Sequence, residues 1–212
     1  MLEVEQLACT RGDRTLFRDV SFKLEARGLL HVAGANGSGK TTLLRVLCGL
    51  GASDEGEVRW RGEPIHALRE SYWREMLYLG HANALKDDLT AAENLQVSCA
   101  LAGRPVAADA VSAALTAFGL AACAHLPVRL LSQGQKRRAA LARLALSVHV
   151  PLWILDEPFT ALDVAAVKSL ELLITGHVEG GGSVIFTTHQ DAAFTSQVTQ
   201  RVDLDVPPAV AC

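Results

Sequence analysis

The chain of 212 residues lacks the features that mark several other classes of protein. Its five cysteines form no C-x-x-C pair, and we expect them to be small buried apolar residues in a reducing cytosol. Lysine and arginine total 20 against 23 acidic residues, a formal net charge of −3. This balance argues against a protein that coats nucleic acid, and no nucleic-acid partner is expected.

Long apolar runs are also missing. The longest apolar stretch, Ala139 to Leu155, is interrupted by Arg143, His149 and Pro151, whereas a spanning helix needs about 20 mostly apolar residues. The first residues show neither the basic start nor the apolar centre of a signal peptide. A role at a membrane would therefore require another chain to cross the bilayer.

What the chain does contain is a phosphate loop. The residues Gly34-Ala35-Asn36-Gly37-Ser38-Gly39-Lys40-Thr41 match G-x-x-x-x-G-K-[ST] at every fixed position, between an apolar run and a helical pattern. Glycines let several backbone N–H groups point at one anion, and the helix N-terminus adds partial positive charge. We expect this loop and Thr42 to bind ATP, with Lys40 on the β- and γ-phosphates and the Thr41 hydroxyl on Mg²⁺.

Two adjacent carboxylates form a second candidate site. The apolar run Leu152 to Leu155 leads directly into Asp156 and Glu157. Asp156 is predicted to hold Mg²⁺ through water, and Glu157 to act as the general base that polarises the attacking water. A solvated pair at a strand end is the alternative, and the phosphate loop in the same chain favours the catalytic interpretation.

The order of apolar runs predicts the fold class. Runs at 29–33, 76–79, 152–155 and 183–187 alternate with helical segments, which indicates an α/β protein with a buried, mainly parallel sheet. The first 27 residues are predicted to form strands joined by a turn at 11–13. The alanine-rich region from 90 to 119 is predicted to hold two helices, and further helices are expected at 132–147 and 163–177.

Two more motifs complete a pattern that resembles a known family. Leu131-Ser132-Gln133-Gly134-Gln135 precedes a helical segment, and His189 follows the fourth apolar run. With the phosphate loop and the carboxylates, they resemble the nucleotide-binding domain of ATP-binding-cassette (ABC) transporters over residues 2–204. The family signature is L-S-G-G-Q, and this chain has Gln133 in place of its first glycine.

The resemblance implies an ABC ATPase fold, with a phosphate-loop NTPase core, an N-terminal antiparallel β subdomain and a small helical subdomain at about 82–150. It implies one domain at 1–206 and a tail at 207–212. It also implies an ATP-dependent homodimer in which Ser132, Gln133, Gly134 and Gln135 cap the γ-phosphate of ATP held by the other subunit. His189 would contact that phosphate and steady the water that Glu157 activates.

Two positions depart from the family pattern. Where the family has an aromatic residue that stacks on adenine, this chain has Arg11, which either stacks through its guanidinium plane or is a solvated turn residue. Where the family has a glutamine that touches Mg²⁺, this chain has His81, and the nearest amide is Asn83. His81 either approaches the metal or packs against a membrane partner.

These departures point to a narrower family. Together, three segments resemble the ATPase subunits of cytochrome c maturation systems: Gly80-His81, Arg11 with Thr15–Phe17, and 152–160. That resemblance implies integral membrane subunits as partners at the cytoplasmic face of the bacterial inner membrane, and either haem export or release of a haem-loaded chaperone. Partner contact is expected near 81–95, where Leu85 and Leu89 are either exposed contact residues or packed internally.

Three alternatives stay open. The chain could energise a transporter for another small substrate, because an ATPase subunit does not touch the substrate. It could be a soluble ABC-type ATPase, although the sequence has no long coiled coil, zinc motif or second cassette. A nucleotide-sensing scaffold is the third, and the presence of Glu157 and His189 argues against it.

Overall fold

The computed structural model describes residues 1–188 and 198–204, which form two β-sheets and seven α-helices. The strands are β1 (Leu2–Arg11), β2 (Arg14–Leu24), β3 (Leu29–Ala33), β4 (Glu55–Trp60), β5 (Glu63–Pro64), β6 (Met76–Leu79), β7 (Leu152–Leu155), β8 (Ser183–Thr187) and β9 (Gln200–Asp203). The helices are α1 (Lys40–Leu47), α2 (Ile65–Leu68), α3 (Glu70–Arg74), α4 (Ala91–Leu101), α5 (Ala108–Ala117), α6 (Gln133–Ala145) and α7 (Val164–Glu179).

The N-terminal strands form an antiparallel sheet in the order β2-β1-β4-β5. Leu2 pairs with Leu24 on one side and with Trp60 on the other, so β1 lies in the middle of the sheet. The side chains of Leu2, Val4, Leu7 and Cys9 are buried against the core. The predicted pair of strands with a turn after Arg11 is confirmed.

The second sheet is parallel throughout, in the order β6-β7-β8-β3-β9. Because parallel strands end at the same edge, the segments after β3, β6, β7 and β8 all begin at that edge. Those segments carry the phosphate loop, Gly80-His81, Asp156-Glu157 and Thr188. The predicted α/β fold with an antiparallel N-terminal sheet and a parallel core sheet is confirmed.

Helices α4, α5 and α6 lie in sequence between β6 and β7 and contact one another. Their apolar residues, such as Leu95, Leu115 and Leu141, share one buried cluster with Leu77 and Trp153 of the sheet. Helix α4 begins at a capping box of Thr90 with Glu93, which satisfies N–H groups that would otherwise lack acceptors.

Within the described residues, no helix is long and apolar enough to cross a membrane. Cys9, Cys48, Cys99 and Cys123 are buried free thiols, as expected for small apolar residues, and Cys212 lies outside the described part of the chain. Strands β5 and β9 and helices α2 and α3 were not predicted from the sequence.

Candidate active site

The phosphate loop connects β3 to α1, and its shape depends on glycine. Gly39 is the N-cap of α1 with φ 100°, a backbone conformation that residues with a side chain rarely adopt. A Cβ atom at Gly39 would lie 2.9 Å from the Cβ of Leu16 in β2, so the strand closes over the loop. No acidic residue occupies the first turn of α1, so the N–H groups there are available to an anion.

Polar groups of the loop point toward its interior. The Lys40 ammonium donates hydrogen bonds to the carbonyl oxygens of Gly34 at 2.8 Å and Ala35 at 3.1 Å. The Ser38 hydroxyl is buried and finds no hydrogen-bond partner among residues 1–188 and 198–204. Ala35, Asn36 and Gly37 are exposed, and Thr42 is half-buried in the first turn of α1. An orphan hydroxyl beside a lysine in an open loop fits the oxygens of a phosphate group.

Asp156 joins the phosphate loop to the ends of β7 and β8. The Thr41 hydroxyl donates to Asp156 Oδ2 at 2.8 Å, and the Thr187 hydroxyl donates to Asp156 Oδ1 at 2.9 Å. The Thr187 oxygen in turn accepts the Glu157 N–H at 2.8 Å. Three segments far apart in sequence therefore meet at one buried carboxylate, and Thr187 is a site residue that the motif search did not identify.

Glu157 has an unusual backbone. Its φ is +49°, in the left-handed region, which costs of order 1–3 kcal/mol for a residue with a side chain. Three hydrogen bonds hold its backbone: its N–H donates to the Thr187 hydroxyl, and its carbonyl oxygen accepts from Arg137 Nη2 at 2.7 Å and from the Thr160 N–H at 3.2 Å. Such a strained residue at a strand end is the pattern found where a side chain must be aimed at a ligand.

Arg137 of α6 is a second residue that the sequence did not single out. Its guanidinium is buried and donates to the carbonyl oxygens of Gly80 at 3.2 Å, Asp156 at 3.1 Å and Glu157 at 2.7 Å. It also reaches Asn83 Oδ1 at 3.3 Å. One side chain thus links the segments that follow β6 and β7. In the sequence it sits within Lys136-Arg137-Arg138, a run that is typical of a solvated helix face.

The signature motif begins α6. The Ser132 hydroxyl accepts the Gln135 N–H at 3.2 Å, and the Gln135 side chain accepts the Ser132 N–H at 2.8 Å, which makes a capping box. Ser132 and Gln133 are exposed, while Gly134 and Gln135 are half-buried. A Cβ atom at Gly134 would lie 3.3 Å from the Ala161 carbonyl oxygen, so the helix start packs closely on the loop before α7.

Arg11 and Arg14 stand opposite each other at the end of the β1–β2 pair. The exposed Arg11 donates to the carbonyl oxygen of its neighbour Thr10 at 3.4 Å. The Arg14 guanidinium lies over the phosphate loop, with Nη1 3.6 Å from the Cβ position of Gly37. The sequence drew attention to Arg11, but Arg14 is the residue that the structure brings to the loop.

Of the two candidate histidines, His81 lies in the described part of the chain and His189 does not. The His81 side chain is exposed, and its carbonyl oxygen accepts from Arg137 Nη1 at 3.5 Å. Arg137 therefore engages the backbone of His81 rather than its imidazole. His189 lies outside the described residues.

Leu85 and Leu89 were expected to be exposed, but both are half-buried and Leu85 packs against the larger core cluster. The expectation of exposure was wrong for Leu85, because its side chain packs against the apolar residues of that cluster.

A phosphate loop, a carboxylate pair at a strand end and a capped signature helix on this fold define a nucleotide-binding subunit of the ABC type. The family model described as ABC transporter matches residues 17–160. The chain is 52% identical to the cytochrome c biogenesis ATP-binding export protein CcmA of Aromatoleum aromaticum, covering 99% of this chain and 94% of that protein. It is 51% identical to the protein of that name from Nitrosospira multiformis, covering 96% and 98%.

Solved structures agree on the fold. An ATP-binding subunit of an ABC transporter superposes with a TM-score of 0.84 at 25% identity, covering 96% of this chain and 85% of that chain. A dimeric ATP-binding cassette, bound to ADP and Pi in a post-hydrolysis state, gives 0.78 at 23% identity, covering 90% and 88%. The chain therefore belongs to the ABC transporter family and, within it, to the cytochrome c biogenesis ATP-binding export proteins.

Proposed function

We propose that the chain is the ATP-hydrolysing subunit of a membrane ABC complex in cytochrome c biogenesis. The observation that carries the hydrolytic part is the bonding of both Asp156 oxygens, one to Thr41 of the phosphate loop and one to Thr187 of β8. The membrane and cytochrome c parts are supported by the relatives that match nearly the whole chain.

The residues at the loop fit Mg²⁺ as well as ATP. A hydroxyl and a carboxylate, the oxygen donors that Mg²⁺ prefers, meet at Thr41 and Asp156. Mg²⁺ takes few protein ligands beside substrate phosphates, and residues 1–188 and 198–204 contain no cluster of three acidic, histidine or cysteine ligands. Thr41 and Asp156 would hold the ion, which neutralises phosphate charge when bound. Lys40 and the loop N–H groups would bind the β- and γ-phosphates.

Glu157 is the proposed general base. Its backbone is fixed by Thr187 and Arg137 on either side, so its carboxylate can be aimed without a large loss of conformational freedom on binding. It would accept the proton of the attacking water. His189 is proposed to contact the γ-phosphate, and Arg11 and Arg14 to border the nucleotide. His81 is proposed to touch the membrane partner, because its imidazole is exposed.

The exposure of Ser132 and Gln133 at the start of the signature motif supports the proposed assembly. We propose one ABC domain at 1–206, with a helical subdomain at about 82–150 and a tail at 207–212. Ser132, Gln133, Gly134 and Gln135 would complete the ATP site of a second copy, in an ATP-dependent homodimer. Integral membrane subunits of the cytochrome c maturation complex would hold the dimer at the cytoplasmic face of the bacterial inner membrane.

The cargo step is proposed as haem export or as release of a haem-loaded chaperone from the membrane complex. The test is to co-express the chain with the membrane subunits of the same organism, purify the complex and measure its haem content before and after ATP. Loss of haem-loaded chaperone on ATP addition supports release, and haem transfer across proteoliposomes without chaperone supports export. A complex that never carries haem, or a chain that does not hydrolyse ATP, would contradict the proposal.

A further inference from the structure

The end of the β1–β2 pair forms one wall of the phosphate loop. Leu16 Cβ lies 2.9 Å and Phe17 Cδ1 lies 3.2 Å from the Cβ position of Gly39. Nearer the turn, the Arg14 nitrogens Nη1 and Nη2 lie 3.6 Å and 3.9 Å from the Cβ position of Gly37, which is exposed. Side chains of this wall therefore border the space that a nucleotide bound on the loop would fill.

The aromatic ring of this wall is Phe17, and it belongs to the core. It is 2% exposed and lies in the buried cluster that contains Leu43 and Leu44 of α1. Stacking of a base needs an accessible ring face, which the buried Phe17 does not provide. The neighbouring Leu16 is half-buried and apolar, so it can contact a base but cannot distinguish one base edge from another by hydrogen bonds.

Two exposed arginines complete the wall, and we call them the arginine edge. Arg11 and Arg14 stand directly opposite each other in the strand pair, an arrangement of like charges that destabilises the pair. Within residues 1–188 and 198–204, neither arginine forms an ion pair with an acidic side chain, Asp13 in the turn between them included. A bound anion beside the two guanidinium groups would relieve their repulsion.

A guanidinium group recognises features that all nucleoside triphosphates share. It has five N–H donors and no acceptor, and it can bind two phosphate oxygens at once. If its plane stacks on a base instead, any base is suitable, because each has a π face. At a base edge, its donors match the two acceptors of guanine better than adenine, which has one acceptor beside an amino group. None of these three modes of binding favours adenine.

We propose that the phosphate loop and the arginine edge recognise the triphosphate of the substrate and not its base, so that the chain hydrolyses GTP, CTP and UTP as well as ATP. This rests on the proposed function, because it uses the same loop and the same general base. Water attacks the γ-phosphorus, the bond from that phosphorus to the oxygen of the β-phosphate breaks, and Glu157 takes one proton of the water. Nucleoside diphosphate and inorganic phosphate leave, whichever base is attached.

The first test measures phosphate release by the purified chain with Mg²⁺ and each of the four nucleoside triphosphates. We expect kcat/KM for GTP, CTP and UTP to lie within about tenfold of the value for ATP, since the four share the recognised phosphates. A larger preference for ATP over the other three overturns the inference and leaves the ATPase assignment intact. If the chain hydrolyses none of the four, the proposed function fails and this inference fails with it.

Two controls show that the activity belongs to this site. Glu157→Gln should abolish phosphate release from all four substrates, and GTP hydrolysis that persists in this variant would come from another protein and contradict the inference. Inorganic tripolyphosphate has the phosphates without a base, so it should compete with ATP with an inhibition constant within about tenfold of the KM. Adenosine that competes where tripolyphosphate does not would show recognition of the base and overturn the inference.

Arg14→Ala tests the arginine edge directly. It should lower kcat/KM about tenfold for each of the four substrates and raise the inhibition constant of tripolyphosphate in parallel. Arg18→Ala is the matched control, because Arg18 is exposed on the same strand and bonds to the Thr15 hydroxyl at 3.4 Å; it should keep the parent values. A loss confined to ATP would mean that Arg14 reads adenine, and an equal loss in Arg18→Ala would mean that net charge controls binding. Either result overturns the inference.

Discussion

At the scale of single residues, the site divides into groups that local sequence identifies and groups that only the fold brings in. Lys40, Thr41, Asp156 and Glu157 were predictable because each lies in a short motif beside an apolar strand. Arg137 was not, because its five hydrogen bonds reach segments more than 15 residues away in sequence. Contacts that one long side chain makes from a helix to two distant strand ends leave no pattern in the neighbouring sequence.

Glu157→Gln should nearly abolish ATP hydrolysis and leave ATP binding intact. The substitution keeps the shape of the side chain but removes the base, which should slow the chemical step roughly 10²–10⁴-fold. Phosphate release and binding of a fluorescent ATP analogue are the two measurements, with Glu179→Gln at the end of α7 as the control. Turnover of Glu157→Gln within about threefold of the parent would exclude this role.

Arg14→Ala should raise the KM for ATP about tenfold, since a charge-assisted hydrogen bond to phosphate is worth about 1.5 kcal/mol or more. Arg11→Ala is the matched variant. Arg11 lies opposite Arg14 in the same strand pair, but its one side-chain hydrogen bond within the described part of the chain goes to its neighbour Thr10. We expect a smaller change there. A larger KM effect from Arg11→Ala would instead favour guanidinium stacking on adenine.

At the scale of helices and strands, sequence patterns predicted the elements that are long or strongly apolar. The strands β3, β6, β7 and β8 are short apolar runs, and α4, α5 and α6 have turn signals at their ends, so all were predicted. Helices α2 and α3 have four and five residues, too few to show a helical period. Strand β9 is polar and forms because it pairs with β3 at the sheet edge, a long-range contact.

Arg137→Lys should destabilise the protein and slow ATP hydrolysis. Lysine cannot reach both strand ends, so the carbonyl oxygens of Gly80 and Asp156 lose the Arg137 donor and that of Glu157 keeps only the Thr160 N–H, at a cost of roughly 3 kcal/mol. Urea unfolding and ATPase assays measure the two effects. The neighbour Arg138 is half-buried and bonds to the Phe118 carbonyl oxygen, so Arg138→Lys should change stability far less. Equal losses of stability and of ATPase activity in the two variants would show that Arg137 has no larger role than Arg138.

Helix α7 should make stability depend on pH through His177. Its ring is buried and stacks on Trp153 with centroids 3.7 Å apart, and burial lowers the pKa of His177 to about 4. The unfolded chain has a histidine pKa near 6.5, so protons bind the unfolded state more readily. Stability is therefore full above about pH 6.5 and falls toward pH 4, by roughly 1.4 kcal/mol per pH unit at most.

The measurement is urea unfolding of the parent and His177→Phe across that range. Phenylalanine preserves an aromatic ring against Trp153 but does not titrate. We expect the variant to lose the part of the acid dependence that His177 causes, whatever its absolute stability. An acid slope that is the same in both proteins would show that other groups control it.

At the scale of the whole molecule, the proposed homodimer would make one chain catalytically incomplete, because the exposed Ser132 and Gln133 would act on the ATP of a second copy. Ser132→Arg should hydrolyse poorly although its own phosphate loop is intact. Lys40→Ala should also hydrolyse ATP poorly, because its phosphate loop is defective although its signature motif is intact. In a mixed dimer both defects fall on one composite site and the other site is whole, so mixing the two variants should restore part of the ATPase activity.

The necessary control is proof that mixed dimers form, for instance by tandem affinity purification with a different tag on each variant. Activity that stays absent in purified mixed dimers would mean either that the signature does not act across the interface or that both sites must fire together. A double variant in one chain, paired with the parent, tells these apart. If the signature acts within its own chain, the site of the parent chain stays whole and activity remains, whereas across the interface each composite site carries one defect.

Helix α6 connects two of the features described above, the signature motif and the hydrogen bonds of Arg137. Its first turn contains the last three residues of the signature, and Arg137 in the second turn binds the segments that follow β6 and β7. Arg137 lies about 6 Å along the axis from the first residue of α6 and about 12 Å from its last, so a tilt of about 10° about Arg137 would displace the signature end by about 1 Å and the far end by about 2 Å. A shift of about 1 Å is enough to break a hydrogen bond of ordinary length, so the hydrogen bonds that Arg137 makes to the strand ends also fix the distance between the signature motif and the carboxylates.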